Sequence, residues 1–196
     1  MIILPSTYLG NIAYFHLLFQ NKEIGISSSE RYVKQTYRSR CTIFSANGLQ
    51  NLSIPVVRTS GRDTIMEDVQ ISYSENWQKD HLKALEAAYN RTPYYEFYVD
   101  QLESIYAEKH SKLLDFNLEL CRFLIEKTGL ECELTVVPEE PEVDMKKIVD
   151  PKQAPLFEAY HYLQTHSEKY PFEGNLSMVD LLFNEGPNSI SILTES

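Results

Sequence analysis

The stretch MIILPSTYLGNIAYFHLLFQNKEIGIS, Met1 to Ser27, decides the class of fold. Met1 to Leu4 is a short apolar run with no polar face, which suits a strand central in a sheet. Pro5 to Gly10 reads as a loop. Asn11 offers a side-chain cap to a helix running through Gln20, on which Ile12, Phe15, Leu18 and Phe19 form the apolar stripe. Lys22 closes that helix, and Glu23 to Ser27 is a second short strand. Strand, loop, helix and strand in this order open an α/β unit. Loops leaving the carboxyl ends of such strands are the usual binding positions, which singles out Tyr8, Asn11 and the Ser27-Ser28-Ser29 run. No charge precedes Lys22, yet Pro5, Gly10, Asn11 and His16 interrupt the stretch. It therefore falls short of the roughly 20 apolar residues of a membrane span. It also lacks the basic start of a secretory signal. The expectation is folded structure in a cytoplasmic protein.

Moving outward, the next feature is electrostatic. Between Glu30 and Asp63 the chain has no acidic residue, whereas it carries 28 in its 196 residues and a net charge of -10. Arg31, Lys34, Arg38, Arg40, Arg58 and Arg62 lie inside this window. Cys41 to Ala46 and Leu49 to Val57 read as two strands, and Asn47-Gly48 supplies the positive φ angles of a type I′ hairpin turn. If the extended conformation reaches back to Lys34, then Lys34, Thr36, Arg38 and Arg40 share one strand face. A solvated basic face and an anion-binding floor both fit this pattern. Arginine suits the second because its planar fork holds a carboxylate or phosphate bidentately.

Beyond the hairpin, Val69 to Tyr73 alternates as a further strand. Ser74 caps a helix from Glu75 to Asn90, with Trp77, His81, Leu85 and Ala88 on one side. Thr92-Pro93 restarts a helix that carries Tyr94, Tyr98, Leu102 and Ile105 to about Glu108. A third helix runs from near Ser111 to Thr128 and is stopped by Gly129. These three consecutive helices should form one layer on the sheet, with Trp77 buried. Cys132 to Val137 is a strand. The acidic, proline-bearing segment 138–155 reads as a linker or lid within a single domain spanning 1–196. Near the end, Asn175 caps a helix from Leu176 to Asn184, with Leu176, Val179 and Phe183 inward and Ser177, Asp180 and Asn184 on the polar side. The fold class is thus α/β: one domain, a mixed sheet with a β-hairpin, and a layer of three helices.

Composition excludes several functions. The acidic balance argues against a nucleic-acid polymer as partner. Cys41, Cys121 and Cys132 have no CxxC spacing and are odd in number, so neither a disulfide framework nor a zinc site is read. Neither GxxxxGK[ST] nor GxGxxG is present, and His161 and His166 lack HExxH spacing. No GxSxG elbow occurs. The sequence calls for no cofactor and no metal. Cys41 is a weak nucleophile candidate because its strand position is buried.

Three stretches together resemble the WbqC-like protein family: LPSTYLGNIAYFHLL at the start, YVKQTYRSRCTIFSANGLQNLSIPV with WQKDHLKALEAAYNRTPYYEFY in the middle, and NLSMVDLLFNEGP at the end. The family commonly has Asn where this chain has Ser39, further prolines where it has Leu9-Gly10-Asn11, and His-Trp where it has His81-Leu82. The resemblance implies a transferase in bacterial surface polysaccharide or O-antigen (lipopolysaccharide) biosynthesis that decorates a sugar, for example with a glycyl or other aminoacyl group. Lys34, Arg38 and Arg40 would hold an anionic donor or nucleotide-sugar, while Tyr8, Gln35 and Asn184 orient substrate. Asp180 or His81 would act as base, since acyl transfer needs a proton acceptor. The alternative is a non-catalytic partner of polysaccharide-assembly proteins. On the catalytic reading the first loop, the hairpin and the last helix should meet, bringing Asp180 near Tyr8 and Lys34.

Overall fold

In the computed structural model, which describes residues 1–157 and 161–194, the opening unit forms as strand β1 (Ile2–Leu4), helix α1 (Ile12–Gln20) and strand β2 (Glu23–Ser27). β1 and β2 run parallel, and β7 (Glu133–Val137) joins the other side of β2, also parallel. The centre of this sheet is therefore β2, and the first strand lies at its edge. An apolar run requires cover for its faces, not a neighbour on both hydrogen-bonding edges. Part of that cover for β1 comes from α5 (Val143–Lys147), which lies within the acidic 138–155 segment. Ile148 and Val149 anchor the same segment in the core.

Parallel and antiparallel pairings are both present, distributed among separate small sheets. β3 (Arg40–Ser45) and β4 (Gly48–Ser53) form the hairpin, and β5 (Val56–Arg58) pairs with β6 (Val69–Ile71). Leu49 to Val57 is not one strand because Pro55, which has no N–H to donate, separates β4 from β5. The hairpin turn differs from the expected type. Ser45 pairs with Gly48, so Ala46 and Asn47 make the corner, and only Gly48 takes positive φ, at 95°. A type I′ turn would need positive φ at both corner residues, and here the left-handed conformation falls on the glycine that follows them.

α2 (Trp77–Tyr89), α3 (Tyr95–Ala107) and α4 (Leu113–Thr128) pack in succession, and α2 also touches β3. Trp77 is 4% exposed, its ring set among His81, Tyr106 and Phe116. Gly129 ends α4 in the left-handed conformation, as its lack of Cβ permits. Two expected caps act elsewhere. Ser74 bonds Ser72, and Thr92 donates its hydroxyl to the Tyr89 carbonyl, closing α2 instead of opening α3. Short polar side chains satisfy whichever free backbone group the tertiary fold brings within reach.

The last part of the chain returns to the first loop. α6 (Met178–Glu185) packs against α2, α3 and α4, and α7 (Ser189–Thr194) packs beside α1. The starts of α1 and α6 interlock. Ile12 N–H donates to Leu176 O (3.0 Å), Met178 N–H to Gly10 O (2.7 Å) and Ser177 Oγ to Leu9 O (2.6 Å). Asn11 caps α1 through Tyr14 N–H, as its sequence position predicts. Asn175 also serves α1, accepting Ala13 N–H, so it does not cap the helix that follows it. Among the described residues no helix is long and apolar enough to cross a membrane.

Candidate functional site

The turn before the hairpin sets the geometry of the site. Residues 34–39 are turns, not a backward extension of β3, and Gln35 has a φ of 60°. Tyr8 N–H donates to Tyr37 O and Tyr37 N–H to Val149 O, pinning this turn between the first loop and the 138–155 segment. The predicted common face of Lys34, Thr36, Arg38 and Arg40 therefore does not form.

Each cation meets a different environment. Arg38 is 3% exposed and grips Glu30 with both arms of its fork, Nε at 3.0 Å and Nη2 at 2.6 Å, while Nη1 reaches Thr36. Arg31 pairs with Asp63 at 2.9 Å on the surface. The two acids that bound the basic window thus turn back onto its cations. Burial pushes the Glu30 carboxyl up, and the bond and charge of Arg38 oppose that push. Lys34 and Gln35 are exposed. Arg40 is half-buried beside its strand partner Ser53, and among the described residues it makes no ion pair.

The strand face that carries Arg40 runs into a cleft. That face carries Thr42 next, opposite Asn51, and the two side chains are bonded at 2.9 Å. They line this cleft, of about 780 Å³, together with Tyr37 and Leu49. Pro151, Gln153 and Pro155 of the acidic segment and His161 with Phe172 to Leu176 complete the lining. The His161 ring lies on Phe172 with centroids 4.1 Å apart. Burial pushes the Tyr37 phenol up, while hydrogen bonding toward Thr42 and Asn11 and the Arg40 charge pull it down. Among the described residues the buried Asn11 Nδ2 makes no hydrogen bond. The cleft therefore offers hydroxyls and amides, an aromatic platform and the ionisable side chains of Tyr37, His161 and Glu173, with Arg40 two residues before Thr42 on the strand face that lines it.

The remaining predicted residues lie inside the protein. Tyr8 is fully buried, its hydroxyl between His81 Nδ1 (2.7 Å) and the Tyr106 hydroxyl. Burial lowers the His81 imidazole to about 4, against weaker pulls upward from the Ser53 backbone and Asp80, so it is neutral at pH 7. Asp180 is also fully buried, accepting hydroxyl bonds from Tyr89 and Tyr162 and none from Tyr8 or Lys34. Asn184 turns back onto the Asp180 carbonyl. Ser39 is held by the Tyr32 hydroxyl at 2.6 Å. Burial raises the Cys41 thiol far above its ordinary range, which keeps it protonated. Thr42 and Asn51 could have been found from Arg40 by counting strand faces. Tyr37, His161 and Asn175 carried no local signal, because they reach the cleft from turns.

The model of the WbqC-like protein family matches residues 6–153. The uncharacterized protein Rv1507c of Mycobacterium tuberculosis is 29% identical over 133 residues, 67% of this chain and 57% of its own length. The chain thus spans less than two thirds of that relative. No solved structure matches. The matched residues include the hairpin side of the cleft, and the wall from His161 to Leu176 lies beyond them.

Proposed function

The chain belongs to the WbqC-like protein family, and from that premise we propose that it is a transferase of bacterial surface-polysaccharide biosynthesis whose substrate sugar occupies the hairpin cleft. One observation carries the reading: a cleft lined by hydrogen-bonding side chains is reached along the strand face of Arg40, which among the described residues makes no ion pair. Sugar hydroxyls both donate and accept, and the Thr42, Asn51 and Asn175 side chains do the same. The Phe172–His161 pair offers a ring face to a pyranose. Arg40 then holds the phosphate of a nucleotide-sugar or the carboxylate of an acyl donor, with a charge-assisted bond. Transfer to a hydroxyl or amine needs a proton acceptor, and exposed His161 on the cleft wall is placed to fill that role. His81 and Asp180, enclosed as they are, support the site from behind.

The test is binding followed by turnover. Isothermal titration with UDP-N-acetylglucosamine, then with a panel of nucleotide-sugars and aminoacyl donors, should find a ligand whose affinity falls about tenfold or more in Arg40→Met. His161→Gln should retain that affinity and lose turnover. Equal affinity for every anion in wild type and Arg40→Met would remove Arg40 from the site. Binding without turnover of any donor would favour the non-catalytic assembly role.

A further inference from the structure

Asp180 lies behind both sides of the cleft. Its carboxylate accepts from the Tyr89 hydroxyl at 2.8 Å and the Tyr162 hydroxyl at 2.6 Å. The Tyr89 oxygen accepts the backbone N–H of Phe44 at 3.1 Å, which ties α2 to the hairpin. The Tyr162 oxygen accepts from Gln164 Nε2 at 2.9 Å. Gln164 in turn clamps Glu173 from both sides: Nε2 donates to the Glu173 carbonyl (2.8 Å), and Glu173 N–H donates to Oε1 (3.0 Å). Phe172, which carries His161, packs edge-on against the Tyr162 ring. One buried carboxylate thus reaches the hairpin through one phenol and the 161–174 segment through the other.

We propose that Asp180 is a positioning residue of this site, latching residues 161–174 and the hairpin to one buried point, in addition to the contacts that Lys169 and Tyr170 make with Ala46 at the hairpin turn. The proposal rests on the reading of that cleft as the ligand site. A carboxylate can only accept, and its two short bonds come from phenols on the elements that must be held, with Asn184 Nδ2 of its own helix at 3.5 Å as a third donor. Removing one phenol hydroxyl should free one wall and leave the other in place. A residue that merely filled space would loosen both alike. The titratable groups facing Asp180 are Tyr89 from α2 and Tyr162 from the 161–174 segment, with Glu185 beyond Tyr162. Among the described residues no cation bonds to it. Burial raises its carboxyl to about 6, against the phenol hydrogen bonds that lower it. A state in which the segment lifts would rehydrate the carboxylate and restore its ordinary acidity. The closed state is therefore favoured at low pH and loosens as pH rises through the folded value.

Hydrogen exchange on the full chain tests this without a ligand. Tyr162→Phe should speed exchange in 161–174 by about tenfold or more, with the hairpin and the β1-β2-β7 sheet unchanged. Tyr89→Phe should do so at the hairpin around Phe44 and spare 161–174. In wild type, protection of 161–174, corrected for intrinsic rates, should fall between about pH 4 and pH 7, and Asp180→Asn should flatten that profile. Uniform loosening in both phenol variants, or a wild-type profile retained in Asp180→Asn, overturns the proposal. Titration with UDP-N-acetylglucosamine reads the cleft assignment separately. Selective loosening with no binding by wild type supports the latch and leaves the cleft reading to fail alone.

Discussion

Arg38 and Arg40 stand two positions apart and meet opposite conditions. Arg38 is enclosed with Glu30 in a bidentate pair, and Arg40 lies half-buried on the hairpin face that runs into the cleft. Breaking a buried pair leaves one charge without compensation, so Arg38→Met should destabilise the fold by about 3–5 kcal/mol. Arg40→Met should change stability by less than about 0.5 kcal/mol, the usual range for a surface position. Urea unfolding of the two variants side by side settles the contrast, and equal losses would mean that Arg40 also supports the core. The acid-free window was visible in the sequence. Which cations pair with acids was not, because Glu30 meets Arg38 across the turn at 34–39 and Asp63 meets Arg31 from the far end of the window only in the folded chain.

Among the elements, α1 was the most legible. Asn11 occupies the cap position its sequence predicts and accepts Tyr14 N–H at 2.9 Å. Replacing a helix cap by alanine typically costs about 0.5–2 kcal/mol, and Asn11→Ala should fall in that range by thermal or urea unfolding. A value near zero would mean that Asn175, which accepts the adjacent Ala13 N–H, caps the helix adequately alone. Ser74, Thr92 and Asn175 were equally plausible caps, and each serves another group. A single side-chain oxygen recognises any nearby N–H or hydroxyl, so local sequence proposes caps and packing selects among them. Apolar periodicity was more reliable, since α2, α3 and α4 follow their stripes and enclose Trp77.

At the scale of the whole molecule, Asp180 couples stability to pH. Burial raises its folded pKa to about 6 from an ordinary 3.8. The folded state therefore keeps a proton that the unfolded chain releases. That contribution to stability is fully present below the unfolded value and is lost as pH rises through the folded one. Asp180→Asn cannot titrate, so its stability relative to wild type should improve by about 2 kcal/mol between pH 4 and pH 7. Parallel profiles for the two proteins would show that Asp180 keeps its ordinary acidity in the fold.

Taken by itself, the sequence determined the α/β class, the hairpin, the three-helix layer and the return of the last helix to the first loop. The helices follow from burying apolar surface at a fixed period, the hairpin from its Asn-Gly turn, and the return of the last helix from the resemblance that links the two ends. Only the tertiary structure decided the partners of the polar groups. Asp180 stands on the face of α6 that reads as polar, yet it is fully enclosed, because Tyr89 and Tyr162 arrive from segments 91 and 18 residues away and supply its donors. The cleft has the same origin, since its sides come from the hairpin, from 151–155 and from 161–176. A polar side chain is satisfied by whatever donor or acceptor lies about 3 Å away, at any sequence separation, and that distance exists only in the folded chain.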